Sequence, residues 1–127
     1  MRPTTIYAGK LMSALRAGAP IEAMAHITGG GITENLNRAL PANVDALVDR
    51  GGAGGPAWDV PPIITYCAKA AELTPDEAYK TFNMGVGMSV ICDAADVAEV
   101  TEKLEAQGLA PFVMGRCVEG EGKVVYR

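Results

Sequence analysis

The sequence has little of what disulfide scaffolds and zinc sites require. It holds three cysteines, Cys67, Cys92 and Cys117, without a Cys-x-x-Cys spacing, and a single histidine. An odd number of widely spaced cysteines predicts reduced thiols in a cytoplasmic protein rather than a disulfide framework. One histidine leaves almost no ligand set for zinc, so we expect no metal site in this chain.

Positive charge and long apolar runs are scarce as well. The 15 acidic residues outnumber the 11 basic ones, which gives a net charge of −4 and a pI of about 4.9. Nucleic acids and anionic membranes attract positive surfaces, so this balance argues against both as partners. No apolar run approaches the roughly 18 residues of a membrane span, and the N-terminus has no apolar signal region. A small phosphorylated ligand is still compatible with this charge, because backbone amides can bind phosphate.

The length of 127 residues predicts one domain over residues 1–127, large enough for a core. In the first half, helical and strand patterns alternate. A stripe at Ala8, Leu11, Met12 and Leu15 predicts a helix over 5–16. We expect a strand over 22–28, a helix from its cap at Thr33 to Leu40, and a strand over 43–49.

The second half begins with the glycine-rich stretch 50-RGGAGGPAWD-59, which we expect to be a mobile loop. Two helices then begin at prolines, one at Pro61-Pro62 and one at the capping box 74-TPDE-77. A buried strand over 86–92, a helix capped by Asp93 and a terminal hairpin of 111–118 with 123–126 complete the pattern. The predicted class is α+β, an α/β/α three-layer arrangement in which helices cover a mixed β-sheet.

The segment 26-HITGGGITEN-35 is the first candidate site. Three glycines between a strand and a helix let a ligand approach backbone amides closely, which suits a phosphate-sized anion. The spacing is neither that of a Walker loop nor that of a dinucleotide fingerprint. A tight turn that only joins the strand to the helix is the competing interpretation. His26 either contacts substrate or transfers a proton, or it is simply satisfied by the backbone beside the sheet.

The segment 82-FNMGVGM-88 is the second candidate site. Asn83 ends one helix, and Gly85 and Gly87 lead directly into an apolar strand. Together they could present backbone and amide groups at the strand mouth. The alternative is a helix C-cap followed by a glycine that makes room for a packed helix. Trp58 is interpreted as a lid or packing residue rather than as a stacking platform.

These strings, in this order, resemble the C-terminal domain of the phosphoribosylformylglycinamidine cyclo-ligase family, also called aminoimidazole ribonucleotide (AIR) synthetases. The resemblance is carried by AHITGGGITENLNRALP, VPPI and TPDEAYKTFNMGVGMSVI, with PTTIY and VMGRCVEGEGKVV at the two ends. It covers essentially the whole chain. Sister families that share the fold carry weaker versions of the same strings.

The resemblance implies a ligase of purine biosynthesis that converts formylglycinamidine ribonucleotide and ATP to aminoimidazole ribonucleotide, ADP and phosphate. It implies an N-terminal domain that forms a homodimer and supplies most of the ATP and Mg²⁺ site, with the active site in the cleft between the domains. By the same resemblance, the residues expected at that cleft are His26 as the catalytic residue and Thr28, Gly29, Gly30, Gly31, Asn35, Asn83, Gly85 and Gly87 as substrate- or phosphate-binding residues.

The chain departs from the family in having no counterpart of the N-terminal domain. We therefore expect a piece of a longer protein that is inactive alone and binds no cofactor by itself. The glycine-rich loop before VPPI is also longer than in the family. The alternatives are a stand-alone phosphate-ligand binding module of the same fold and a sister-family ATP-dependent synthetase.

Overall fold

The computed structural model describes residues 3–50 and 58–127. Over these ranges the chain is of the α+β class, as predicted, and it alternates helices with short strands. The helices are α1 (Ala8–Arg16), α2 (Gly31–Asn37), α3 (Pro62–Ala70), α4 (Pro75–Thr81) and α5 (Val97–Glu105), and a short 3-10 turn covers Ala94–Asp96. The strands are β1 (Ala23–His26), β2 (Val44–Val48), β3 (Met88–Ile91), β4 (Gly115–Glu119) and β5 (Val124–Tyr126).

The chain divides into two compact units. The first comprises the residues up to Met24 together with Val90–Val113. In it α1 packs against α5, and the buried residues are Leu11 and Ala14 on α1 and Val100 and Leu104 on α5. Of the two on α1, only Leu11 belongs to the predicted stripe. The Lys103 ammonium donates to the carbonyl of Ala17 just after α1, at 2.8 Å. Such a contact offsets the negative end of a helix.

The second unit, Ala25–Ser89 with Met114–Arg127, contains a three-stranded sheet. Its strand order is β4-β2-β5. Strand β2 is antiparallel to β4 and parallel to β5, so this sheet is mixed, as predicted. The predicted terminal hairpin is wrong, because β4 and β5 do not pair with each other: β2 lies between them. Ala46 and Val48 of this central strand are buried.

Asp45 holds the connection between β4 and β5 in place. Its Oδ1 accepts hydrogen bonds from the amides of Glu121 and Lys123, both at 2.8 Å. These two bonds lower the pKa of the Asp45 carboxyl below its ordinary value. The connection therefore crosses the start of β2 instead of closing a hairpin, and Gly120 confirms the path by donating to the Asn43 carbonyl at 2.9 Å.

Helix starts follow the predicted local signals at α3 and α4. Pro62 lies at the first position of α3, and the capping box of Thr74 and Glu77 forms at α4. The start of α2 differs from the prediction. Its N-cap is Gly30 in a left-handed conformation, not Thr33, because only a residue without a Cβ adopts that backbone at low cost.

Helix α3 carries an apolar stripe that is not buried. A stripe of this kind ordinarily faces a core, yet no residue of α3 is buried. The exposed fractions of Ile63 and Tyr66 are 55 % and 70 %. The stretch expected to be mobile falls mostly on residues 51–57, which lie outside the described residues. No helix in the described ranges is long and apolar enough to cross a membrane.

Candidate functional site

The glycine loop turns the chain from β1 into α2. The amide of Gly31 donates to the carbonyl of Thr28 at 3.0 Å, which closes the turn. Gly30 and Gly31 both have positive φ, +91° and +62°. This region of backbone conformation is costly for residues with a side chain. The turn itself therefore requires glycine at positions 30 and 31.

Gly29 is different from its two neighbours. It is exposed, and it is not among the residues with positive φ. A Cβ added at this position would meet no atom within 4 Å. Neither the backbone conformation nor the packing requires glycine here, so the fold does not account for a glycine at position 29.

Gly31 and Asn35 support the loop from beneath. Gly31 is buried, and an added Cβ would lie 2.7 Å from the Phe82 carbonyl oxygen and closer still to that of Tyr79. The buried side-chain amide of Asn35 donates to the carbonyls of Gly31 and Gly29 at 2.8 and 3.1 Å. One side-chain amide thus fixes carbonyls of the loop from its inner side. Thr28 and Gly29 form the outer side of the loop and are exposed.

The two candidate strings lie together in the structure. The Ile27 amide, between His26 and Thr28, donates to the Gly87 carbonyl at 3.0 Å. Beneath the loop, Gly31 packs on the carbonyl of Phe82, where the second string begins. The pairing of β1 with β3 thus brings the strings into contact although they are far apart in sequence.

Residues Asn83 to Val86 form a tight turn. The Val86 amide donates to the Asn83 carbonyl at 2.9 Å, and the Gly85 amide donates to Asn83 Oδ1 at 3.0 Å. Both central residues, Met84 and Gly85, have positive φ, +53° and +91°, the pattern of a type I′ turn. The side-chain oxygen of Asn83 is therefore engaged within its own turn.

Trp58 braces this turn. Its indole Nε1 donates to the carbonyl of Met84 at 2.9 Å, and its ring meets the edge of Tyr79 at a centroid distance of 6.3 Å. A left-handed methionine is uncommon, and strain of this kind persists only where the surroundings hold it. The packing interpretation of Trp58 agrees with these contacts.

Glu34 adds a negative charge beside the loop. A Cβ added at Gly30 would lie 2.9 Å from the carboxyl carbon of Glu34. The carboxylate is itself paired with Arg38 at 3.6 Å, and both side chains are largely exposed. Sequence reasoning did not single out Glu34, although a position four residues after Gly30 on a helix faces that residue. An anion bound at Gly30 would have to lie close to this carboxylate.

His26 is the last residue of β1 and is exposed. It precedes the exposed Thr28 by two positions, so it stands at the strand end from which the loop departs. Its position agrees with a role at the surface rather than in the core.

The family is decided by a comparison of the whole chain. Residues 1–127 match the model of the family described as AIR synthase related protein, C-terminal domain. The chain belongs to this family.

Among curated relatives of this AIR synthase C-terminal domain are several named phosphoribosylformylglycinamidine cyclo-ligase. The protein of Caldanaerobacter subterraneus subsp. tengcongensis is 42 % identical over 98 % of this chain and 35 % of its own length. That of Alkaliphilus oremlandii is 37 % identical with the same coverage, and that of Methylobacillus flagellatus is 40 % identical over 97 % of this chain and 34 % of its own length. The chain thus spans about a third of the length of these relatives.

The resemblance to the cyclo-ligases implies Mg²⁺ for the whole enzyme. Within residues 3–50 and 58–127, no group of three or more His, Cys, Asp or Glu side chains could hold a metal ion. The Glu34 carboxylate beside the glycine loop is itself paired with Arg38. We therefore derive no step through a metal held by these residues.

Proposed function

We propose that this chain is the substrate-side, C-terminal part of an ATP-dependent cyclo-ligase that converts formylglycinamidine ribonucleotide to aminoimidazole ribonucleotide. The family match over residues 1–127 and the names of relatives at 36–42 % identity support this assignment. In this proposal the exposed side of the glycine loop contacts the 5′-phosphate of the ribonucleotide.

The observation that carries the phosphate contact is the bare surface of Gly29. The fold explains Gly30 and Gly31 by their positive φ, whereas Gly29 has ordinary φ and open space where a side chain would lie. A glycine without a structural requirement on an exposed turn is expected where a ligand approaches the backbone closely. The amide of Gly29 donates no backbone hydrogen bond in the described part of the chain, so it is available to an oxyanion.

The other candidate residues take different roles in the proposal. Thr28, exposed beside Gly29, adds a hydroxyl to the phosphate contact, and His26 reaches the reacting part of the substrate from the end of β1. Asn35 and Gly31 position the loop, and Asn83 and Gly85 keep the turn beneath it in shape. Gly87 joins the two strings through its carbonyl, which accepts from Ile27.

A partner domain completes the site in this proposal. The relatives are about three times as long as this chain, and the uncovered apolar stripe of α3, with Ile63 and Tyr66 exposed, is a surface that such a domain could bury. ATP and Mg²⁺ would be held mostly by that N-terminal domain, which would also form the homodimer. The chain alone, mixed with ATP and formylglycinamidine ribonucleotide, should give no aminoimidazole ribonucleotide. Turnover by the isolated chain would refute the need for the partner domain.

The phosphate contact is tested by placing a methyl group at Gly29. We expect Gly29→Ala to weaken binding of ribose 5-phosphate, measured by calorimetry, roughly tenfold, because the methyl group occupies the space of the oxyanion. Gly9→Ala is the matched control, since a Cβ at Gly9 in α1 also meets nothing within 4 Å. Equal affinities of Gly29→Ala and Gly9→Ala for ribose 5-phosphate would refute the phosphate contact and favour the interpretation of the loop as a plain turn. Tight binding by the chain without any partner domain would instead favour the stand-alone phosphate-binding module.

A further inference from the structure

A cavity lies beside β5. Its volume is about 310 Å³, and it is lined by Thr33, Arg50, Asp76, Lys80, Val124, Val125 and Tyr126. None of the residues assigned above to the phosphate contact lines it. A volume near 300 Å³ is at the lower end for small-molecule sites, so a compact ligand is the class to consider.

Arg50 forms the fixed wall of this cavity. Its side chain is only 16 % exposed and is ion-paired with Asp76. Its guanidinium carbon lies 4.7 Å from the ring centroid of Tyr126 and 5.2 Å from that of Tyr79. Stacking on two rings and pairing with a carboxylate hold the guanidinium in one orientation. The buried Arg50 Nε still has no hydrogen-bond partner among the described residues.

Lys80 supplies the net positive charge of the cavity lining. It lies one helical turn after Asp76 on α4 and lines the same cavity. None of the ion pairs found in residues 3–50 and 58–127 includes Lys80. Since Asp76 is neutralised by Arg50, the ammonium of Lys80 makes the lining net positive.

The edge of β5 supplies neutral donors. Among the described residues, β5 is an edge strand that pairs with β2 alone. The Lys123 carbonyl accepts from Ala46 and the Arg127 amide donates to Val48, so these two residues point their backbone groups toward β2. Backbone groups alternate along a strand, and the amides of Val124 and Tyr126 therefore point to the open edge, where both residues line the cavity.

The hydroxyl pair at the cavity is already satisfied. Thr33 Oγ1 and the Tyr126 hydroxyl are 2.7 Å apart, and Thr33 also donates to the Tyr79 carbonyl at 3.4 Å. Tyr126 must then donate to Thr33, so this pair shapes the wall and leaves ligand binding to the amides and the cations.

From these donors and the unpaired charge we infer that the cavity beside β5 is a second binding site, for the carboxylate or phosphate group of a small molecule. The ammonium of Lys80 balances the charge of the oxyanion, and the outward amides of Val124 and Tyr126 donate to its oxygens. Three residues of edge strand are too short to recruit an extended peptide strand, which favours a small ligand over β-augmentation.

The test follows the amide resonances of Val124 and Tyr126 by NMR while the 127-residue chain is titrated with sodium phosphate or sodium acetate at constant ionic strength. We expect saturable shifts, with affinity about fivefold weaker in Lys80→Met because one charge-assisted contact is lost. Lys69→Met is the matched control, since Lys69 is an exposed lysine of α3 outside the cavity. Shifts with both salts indicate a general oxyanion site, and shifts with phosphate alone indicate a phosphate ester.

Two results would overturn the inference: no saturable shift with either salt, or shifts that Lys80→Met and Lys69→Met leave equally strong. Gly29→Ala separates this site from the proposed phosphate contact at the glycine loop. That variant should leave the phosphate-induced shifts of the Val124 and Tyr126 amides intact. The same shifts are expected if phosphate does not bind at the glycine loop at all, so failure of the proposed phosphate contact there would not affect this test.

Discussion

Replacing each glycine of the loop by alanine should sort the three positions into different roles. The fold requires glycine at positions 30 and 31 and not at 29, because only the first two have positive φ. Stability should therefore fall along the series Gly29→Ala, Gly30→Ala, Gly31→Ala. This order differs from what three equivalent loop glycines would give.

The expected magnitudes follow from what each new methyl group meets. Gly29→Ala meets nothing within 4 Å and should be neutral, or stabilising by about 0.4–1 kcal/mol through the unfolded chain. Gly30→Ala meets the Glu34 side chain, both its movable carboxyl end and, at 3.0 Å, its Cβ, and should cost about 1–2 kcal/mol for the left-handed backbone. Gly31→Ala meets the backbone oxygens of Tyr79 and Phe82, which cannot move aside, and overpacking raises its cost to about 2–5 kcal/mol.

Thermal melts followed by circular dichroism would measure the series. For a chain of this size each kcal/mol lowers Tm by about 3–5 °C, so a cost of about 2–5 kcal/mol should make Gly31→Ala melt about 6–25 °C below the parent protein. The fluorescence of Trp58, the one tryptophan, gives an independent probe of the same unit. Similar losses for Gly29→Ala and Gly31→Ala, or no loss for Gly31→Ala, would refute the assignment of roles.

Three further perturbations test other parts of the structure. Glu34→Gln should tighten ribose 5-phosphate binding about two- to fivefold in calorimetry by removing a like charge, and an unchanged affinity would count against the loop as the phosphate site. Thr74→Ala should lower the free energy of unfolding in urea by about 1 kcal/mol, whereas Thr74→Ser should keep the cap. Because hydrogen bonds from Thr74 lower the pKa of Glu77 below 4.5, the parent should also lose stability as pH falls through the folded-state pKa, and Thr74→Ala should lose less. Burial raises the pKa of Tyr126 from 10.0 to about 12, so the folded state holds this proton more tightly than the unfolded state. The corresponding stability is present below pH 10.0 and is lost toward about pH 12. The free energy of unfolding, measured in urea across that window, should therefore fall less for Tyr126→Phe than for the parent. An equal fall in both proteins would contradict the raised pKa of Tyr126.

Local signals in the sequence predicted the helices whose ends are fixed by side chains nearby. The capping box of Thr74 and Glu77 and the proline at Pro62 determine where α4 and α3 begin, because their contacts lie within a few residues. Side-chain capping predicts the α2 start too late, at Thr33, because the actual cap depends on the left-handed backbone of Gly30 rather than on a side-chain oxygen.

Strand pairing cannot be predicted from local sequence signals in the same way. A short polar connection such as 119-EGEG-122 ordinarily joins a hairpin, and nothing local reveals that β2 takes both partners. That arrangement depends on bonds from Glu121 and Lys123 to Asp45, far away in the chain. The cavity beside β5 was missed for the same reason, since Arg50, Lys80 and Tyr126 meet only after the sheet has formed.

For the glycine loop, the sequence indicated more glycine than a turn needs but could not say which residue is the surplus one. The positive φ of Gly30 and Gly31 and the open space at Gly29 single it out. The bonds from Asn35 to the loop carbonyls likewise assign a supporting role that spacing alone left open.

The placement of β2 between β4 and β5 has a consequence for biosynthesis. The hydrogen bond from Lys123 to Asp45 cannot form until Lys123, 78 residues downstream, has been synthesised. Until then the connection between β4 and β5 is not anchored to β2. While the ribosome is still producing the intervening chain, β2 has two unsatisfied edges, and nascent strands in that condition are prone to pair with other chains. Holdase chaperones that shield Val44–Val48 during translation should therefore raise the yield of this protein more than they raise that of helical domains of equal length.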